Sequence, residues 1–259
     1  MDDPSKVLKN MEELIFGLRA LYQRFGYAYY KMSQFEEYDL YASNRSFLGG
    51  EQILTFTDLD GRLMAMKPDV TLSIVKNVKE GGPFPQKVYY NENVYRTQRG
   101  EGFREIMQVG LEYIGRVDLY AMGELIMLAA RSLETISGRY LLDLSHMGLV
   151  AGLLERLEVD EGQRERLLGC IREKNVHELA ALCEGMGIEP GESRRLTGLA
   201  GLYGPFSERI GQVRALCAGE RMHRAADELE EIHRLLCLYG CGDRVNLDFS
   251  IVNDMDYYN

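Results

Sequence analysis

No run of apolar residues in this chain is long enough, and free enough of charge, to span a bilayer, so no membrane-spanning segment is expected. The opening stretch, MDDPSKVLKN, is acidic and then amphipathic, where a secretory signal would be basic and then apolar. Cysteine is scarce: there are five, all between Cys170 and Cys241. An odd, clustered set argues against a disulfide framework and makes a reducing cytoplasm the expected compartment. Positive charge is also in short supply. With 30 Lys and Arg against 40 Asp and Glu, the formal charge is −10, which offers no broad footprint for nucleic acid. No Ser-His-Asp set, P-loop or dinucleotide-binding glycine pattern occurs, and the isolated GEG at 100–102 is not such a fingerprint. Neither internal repeats nor low-complexity tracts are present.

What remains has the ordinary composition of a globular chain, 46% hydrophobic and 27% charged. At 259 residues it has room for one or two domains. Ser5 can cap a helix whose apolar positions Leu8, Met11, Ile15, Leu18, Tyr22 and Phe25 step by threes and fours, with Gly26 at its end. Tyr27 to Glu37 reads as extended. Ile53–Phe56 and Leu63–Met66 flank TDLDG as a hairpin, and Pro68 to Thr71 launches a short helix over Leu72–Lys79. Asp118 caps a further helix carrying Leu119, Met122, Leu125, Ile126, Ala129 and Leu133. From about Ser145 strand signals vanish and helical periods take over, the last of them long and amphipathic over Ser207–Tyr239. At Val245 alternation returns, Leu247, Phe249 and Ile251 against Asp248 and Ser250. The expected organisation is a first core segment at 1–144, an all-helical insertion at 145–243, and a return to the core sheet at 244–259. Tyr257 and Tyr258 should be entering a strand as the chain stops at Asn259, so further core strands are expected beyond it.

The stretch KVYYNENVYRTQRGEGFREIMQVGLEYIG, Lys87 to Gly115, carries the most chemistry. It reads as two strands joined by a basic, glycine-containing loop. Met107, Val109, Leu111 and Tyr113 share one face, and Gln108, Gly110 and Glu112 the other; Glu92 and Arg96 share a face of the first strand. A face bearing Arg, Gln and Glu is either half solvated or lines a polar pocket. Arg96, Arg99 and Arg104 could cradle phosphates or sit at a solvated hairpin tip. Asp69 and Thr71 also suit plain helix capping, and Tyr257 and Tyr258 suit any strand. His233, Cys237 and Cys241 step by fours, but zinc sites usually draw a ligand pair from a turn, so no metal is expected.

In order, these segments resemble the catalytic core of class II aminoacyl-tRNA synthetases, specifically the histidyl branch. Lys87–Gly115 looks like motif 2, MAMKPDVT like the Arg-Pro-Glu-Gly-Thr segment, and LDFSIVNDMDYYN like the Leu-Val-Arg-Gly-Leu-Asp-Tyr-Tyr segment. The fold implied is α+β, an antiparallel sheet flanked by helices with a helical insertion. Carried over position by position, Asp69 and Thr71 hold the α-amino group of histidine. Arg96 contacts ATP phosphate and the carboxylate, Gln108 contacts the amino acid, Glu112 faces the imidazole, and Tyr257 and Tyr258 close over the ligand. The residue types fit: a carboxylate wants Arg, and an imidazole N–H wants an acceptor.

The departures set the expected function. Asn253 stands where the branch has the arginine that stabilises charge during adenylate formation, and losing one such preorganised contact typically costs ~10²–10³ in rate. Lys67-Pro68-Asp69-Val70-Thr71 replaces Arg-Pro-Glu-Gly-Thr, and Ser33 stands where motif 1 carries proline. A paralogous group keeps the histidyl core without charging tRNA, the regulatory subunits of ATP phosphoribosyltransferase, and NDMDYYN and PDVT look more like that group. The resemblance implies a non-catalytic cytoplasmic subunit in histidine biosynthesis. It would self-associate as a dimer, work with the short catalytic subunit, take histidine as a possible ligand, and need neither cofactor nor tRNA. The alternative is a histidyl-tRNA synthetase or a related amino-acid-activating ligase.

Overall fold

The computed structural model describes residues 4–42, 53–77, 85–98 and 102–252. The chain forms two compact units, divided between Asp118 and Leu119.

The first unit opens with α1 (Pro4–Arg24), begun by Pro4 rather than capped by Ser5, since proline's fixed φ suits a first turn. It ends at Gly26, whose φ of +82° glycine adopts without strain. The extended stretch resolves into β1 (Ala28–Tyr29) and β2 (Phe35–Glu37), followed by α2 (Tyr38–Ala42). β3 (Thr55–Thr57) and β4 (Leu63–Met66) form the expected hairpin. In its turn Asp58 Oδ1 accepts from the amides of Asp60 and Arg62, and Gly61 supplies φ +81°. Then come α3 (Thr71–Asn77) and the long hairpin β5 (Gln86–Gln98) and β6 (Gly102–Ile114).

β5 and β6 pair antiparallel from Gln86 opposite Ile114 to Gln98 opposite Gly102, with β1 added parallel to β5. β2, β4 and β3 form a second small antiparallel sheet. α3 joins the two by burying opposite faces. Ile74 packs with Val70 and Val94, with Tyr30, Val88, Tyr90 and Ile114 around them; Leu72 packs with Tyr41 and Ala65. The sheet face bearing Glu92, Arg96, Gln108 and Glu112 is therefore covered, with Val94 fully buried on it. The face expected to be apolar is no drier: Met107 on it is 42% exposed, and Ile106 on the first face 41%. Among the described side chains of that second face Tyr89 is the one fully buried, its ring 5.8 Å from that of Tyr22 of α1 and its hydroxyl accepting from Gln23 Nε2 at 3.0 Å.

The second unit contains α4 (Leu119–Ile136), β7 (Leu142–Leu144), α5 (Met147–Leu154), α6 (Glu161–Arg172), α7 (Val176–Gly185) and α8 (Pro190–Ala200). It continues with β8 (Tyr203–Pro205), α9 (Phe206–Leu216), α10 (Glu220–Leu238), a 3₁₀ turn at Gly242–Arg244 and β9 (Val245–Asp248). α10 is its axis, burying Met222, Ala225, Ala226, Leu229, Ile232 and Leu236. Gly123 of α4 and Gly152 of α5 let their helices approach it, because a Cβ at either would press on Leu235 or Met222.

Two details differ from expectation. The long helix over Ser207–Tyr239 is two, broken at Cys217–Gly219, where Gly219 takes φ +82° and ψ 165°. A three-residue strand, β8, lies between α8 and α9; its Gly204 and Pro205 carry no strand propensity, and pairing with β9 alone makes it one. β9 is central, between β7 and β8, so all four of its residues are buried rather than alternate ones. Its polar members are partnered. Asn246 Nδ2 donates to Asp143 Oδ1 at 3.1 Å and Tyr203 Oη at 3.2 Å, and Asp248 pairs with Lys174 at 2.7 Å. No described helix is long and apolar enough to cross a membrane.

Candidate functional site

The turn into α3 presents its side chains to the covered face of the β5–β6 hairpin. Asp69 is 8% exposed and does two jobs. Its Oδ1 accepts from the Leu72 amide at 2.9 Å, capping α3, while its Oδ2 lies 3.7 Å from Arg96 Nη2. Arg96 is held in turn by its Nε, which donates to the Pro68 carbonyl at 3.0 Å. Two residues on, Thr71 Oγ1 donates to Glu112 Oε1 at 2.6 Å. Thus four of the residues singled out in the sequence, Asp69, Thr71, Arg96 and Glu112, form two contacting pairs on one sheet face. Gln108 lies on that face between them, opposite Glu92 in register and partly buried. Arg104 stands opposite Arg96 at the exposed end of the hairpin. Arg99, Asn253, Tyr257 and Tyr258 lie outside the described residues.

Burial dominates the electrostatics. It pushes the Asp69 carboxyl above its usual range, against the Leu72 amide and the Arg96 guanidinium, which pull it down. Glu112 is raised for the same first reason, with the nearby Asp69 charge adding to it and the Thr71 hydroxyl opposing. Two neighbouring carboxyls, one of them beside a guanidinium, favour a ligand that brings positive charge or N–H donors to one end and a carboxylate to the other.

Three further residues complete the surroundings. Tyr90 shares the face, as the period-two rule that selects Glu92 also implies, and its ring lies on Gly110, where a Cβ would collide with Tyr90 Oη and Cζ. Burial and the Glu112 and Asp69 charges raise the Tyr90 phenol, so it stays a hydroxyl donor at neutral pH. Lys67 is fully buried, its Nζ 2.9 Å from Glu92 Oε2; a lysine inside the apolar run MAMKP was its only sequence signal. Glu36 accepts hydrogen bonds from Ser73 Oγ in the first turn of α3 and from Tyr41 Oη. Beside it a cleft of about 450 Å³ is bordered by Tyr30, Met32, Ser33, Glu36, Met64 and Asn77; it contains none of the residues assigned to the histidine site.

Among the described residues no group of three or more His, Cys, Asp or Glu side chains is placed to hold a metal ion. His233 instead stacks flat on Phe206, ring centroids 3.9 Å apart, with Nε2 3.3 Å from the Gly242 carbonyl.

A helix-capping carboxylate facing a strand arginine over a long antiparallel hairpin is the arrangement of a class II aminoacyl-tRNA synthetase core. The family model described as histidyl-tRNA synthetase matches residues 3–259, and the chain belongs to that family. Within it, the chain is similar to ATP phosphoribosyltransferase regulatory subunits. It is 25% identical to that of Alkaliphilus metalliredigens over 90% of this chain, and 29% identical to that of Geobacillus thermodenitrificans over 91%. It spans about 60% of the length of these curated relatives. Among solved structures it superposes on an ATP phosphoribosyltransferase regulatory subunit/histidyl-tRNA synthetase from Bacillus halodurans with a TM-score of 0.84. That match has 24% identity and covers 97% of this chain and 67% of the other. A HisG:HisZ ATP phosphoribosyltransferase complex from Thermotoga maritima matches with a TM-score of 0.69 at 20% identity, covering 92% and 81%. Identities this low establish the fold.

Proposed function

We propose that this chain is part of a non-catalytic regulatory subunit of ATP phosphoribosyltransferase, acting with the short catalytic subunit at the first step of histidine biosynthesis. The observation that carries the reading is the pairing of Asp69 with Arg96 and of Thr71 with Glu112 on one covered sheet face. Names shared by the relatives support it, and so does the replacement of the family's charge-stabilising arginine by Asn253. In this reading Asp69 and Thr71 take the amino group of histidine, Arg96 its carboxylate, and Glu112 a ring N–H. Gln108 lies between them, Tyr257 and Tyr258 close the site, and Arg99 and Arg104 contact phosphate if any is bound. The site senses rather than reacts, the subunit works in the cytoplasm as a self-associating partner, and tRNA is not a ligand. The three-part division at 144/145 and 243/244 belongs to the same proposal, with 145–243 as the insertion.

A pocket that binds histidine without activating it gives heat on titration with histidine and no histidine-dependent ATP–pyrophosphate exchange. Measured on the full-length protein, sustained exchange would overturn the regulatory reading in favour of an amino-acid-activating ligase.

A further inference from the structure

Lys67 is fully buried, and its Nζ reaches Glu92 Oε2 at 2.9 Å, the carboxylate itself being 12% exposed. Taking two charges out of water is expensive, and a buried ion pair can often be replaced by apolar residues without loss of stability. Stability is therefore a poor explanation for this pair, and its connections supply a better one. The Lys67 amide donates to the Gln34 carbonyl at 3.1 Å, and its own carbonyl accepts from the Tyr95 amide at 2.9 Å. The next carbonyl, that of Pro68, accepts from Arg96 Nε at 3.0 Å, and the residue after that is Asp69. Lys67 thus ties the segment that carries Asp69 to the strand that carries Arg96, by backbone at Tyr95 and by side chain at Glu92. Glu92 lies one residue pair from the site along the same face, opposite Gln108.

We propose that Lys67 and Glu92 are the positioning pair of the site. They set Asp69 opposite Arg96 and, by mutual neutralisation, keep Glu92 from acting as a third pocket carboxylate. The ligand-binding part of this proposal rests on the reading of the site as a histidine pocket; the positioning part does not.

The test uses the full-length protein carrying Lys67→Met together with Glu92→Leu, which removes both charges at similar volume. Glu92→Gln, which keeps an acceptor for the ammonium, serves if the double variant fails to fold. Hydrogen exchange of the folded variant is read first. Amides of Leu72 to Ile74 and of Tyr95 are expected to exchange at least about tenfold faster than in the parent, while those of α10 are unchanged. Rates equal to the parent's at these amides overturn the pair's positioning role. Histidine titration is read second, with the single variant Lys67→Arg, which keeps Glu92 and the ion pair, as the conservative control. Binding at least about tenfold weaker in the double variant and near the parent's in Lys67→Arg is expected; undiminished binding in a variant with loosened amides overturns the link between positioning and affinity. A parent that binds no histidine counts against the pocket's proposed ligand, and leaves the exchange result to decide the positioning role by itself.

Discussion

At Gly110 a side chain would enter the volume of the Tyr90 ring, and that ring sits among Val70, Ile74, Val94 and Ile114 with little freedom to withdraw. Gly110→Ala is expected to cost about 1–3 kcal/mol by overpacking, read as a lowered midpoint in chemical denaturation, and to weaken ligand binding by displacing the Tyr90 hydroxyl. The two raised carboxyls give a pH signature. Asp69 and Glu112 hold their protons more tightly in the folded chain than in the unfolded one. Their contribution is therefore most favourable below the ordinary carboxylate range and is lost as pH rises through their raised values. Glu112→Gln removes one of them while leaving Thr71 Oγ1 an oxygen to donate to. It is expected to flatten the fall of melting temperature between about pH 4 and about pH 8 and to stabilise the protein at neutral pH by up to about 1 kcal/mol, while weakening histidine binding. A steeper pH dependence in the variant would show that Glu112 is not held above its usual range.

Among the elements, those with strong local signals were legible in the sequence. The amphipathic period of α1 and the Asp-Gly turn between β3 and β4 appear where the residues place them, and β6 is a strand as its pattern predicts, although its burial grades from tip to base and does not alternate. What was not legible depends on tertiary context. The polar face of the β5–β6 hairpin is covered too, because Val70 and Ile74 come from outside the hairpin to pack on it and no strand pattern reveals them. The same holds for β8, which exists only through β9, and for Lys67, whose partner lies 25 residues away. The break between α9 and α10 turns on Gly219, whose φ and ψ only glycine adopts readily. A Cβ there would have open space, with nothing nearer than Arg156 Nη1 at 3.8 Å, so the cost of Gly219→Ala is backbone strain alone. About 1–3 kcal/mol is expected in thermal unfolding. By contrast, Asp160→Ala removes a capping box that Gln163 completes at the start of α6, and should cost about 1 kcal/mol. A variant of Gly219 as stable as the parent would mean that the two helices can rejoin as one.

For the molecule as a whole, the site was half legible. Asp69, Thr71, Arg96 and Glu112 were singled out by spacing and resemblance, and the fold pairs Asp69 with Arg96 and Thr71 with Glu112; Tyr90 and Lys67, which we propose complete and position them, were not singled out. Coupling of such a pocket to a partner's active site would be worth about 1–3 kcal/mol, so the effect on the partner should be a change of about 5- to 150-fold rather than an all-or-none switch. The most direct test of the central claim is phosphoribosyl transfer to ATP by a short-form catalytic subunit, assayed with and without the full-length protein. The account predicts that the full-length protein raises that activity, and that Arg96→Ala diminishes the response of the complex to histidine. A catalytic subunit indifferent to the protein's presence, with histidine-dependent ATP–pyrophosphate exchange by the protein alone, would contradict it.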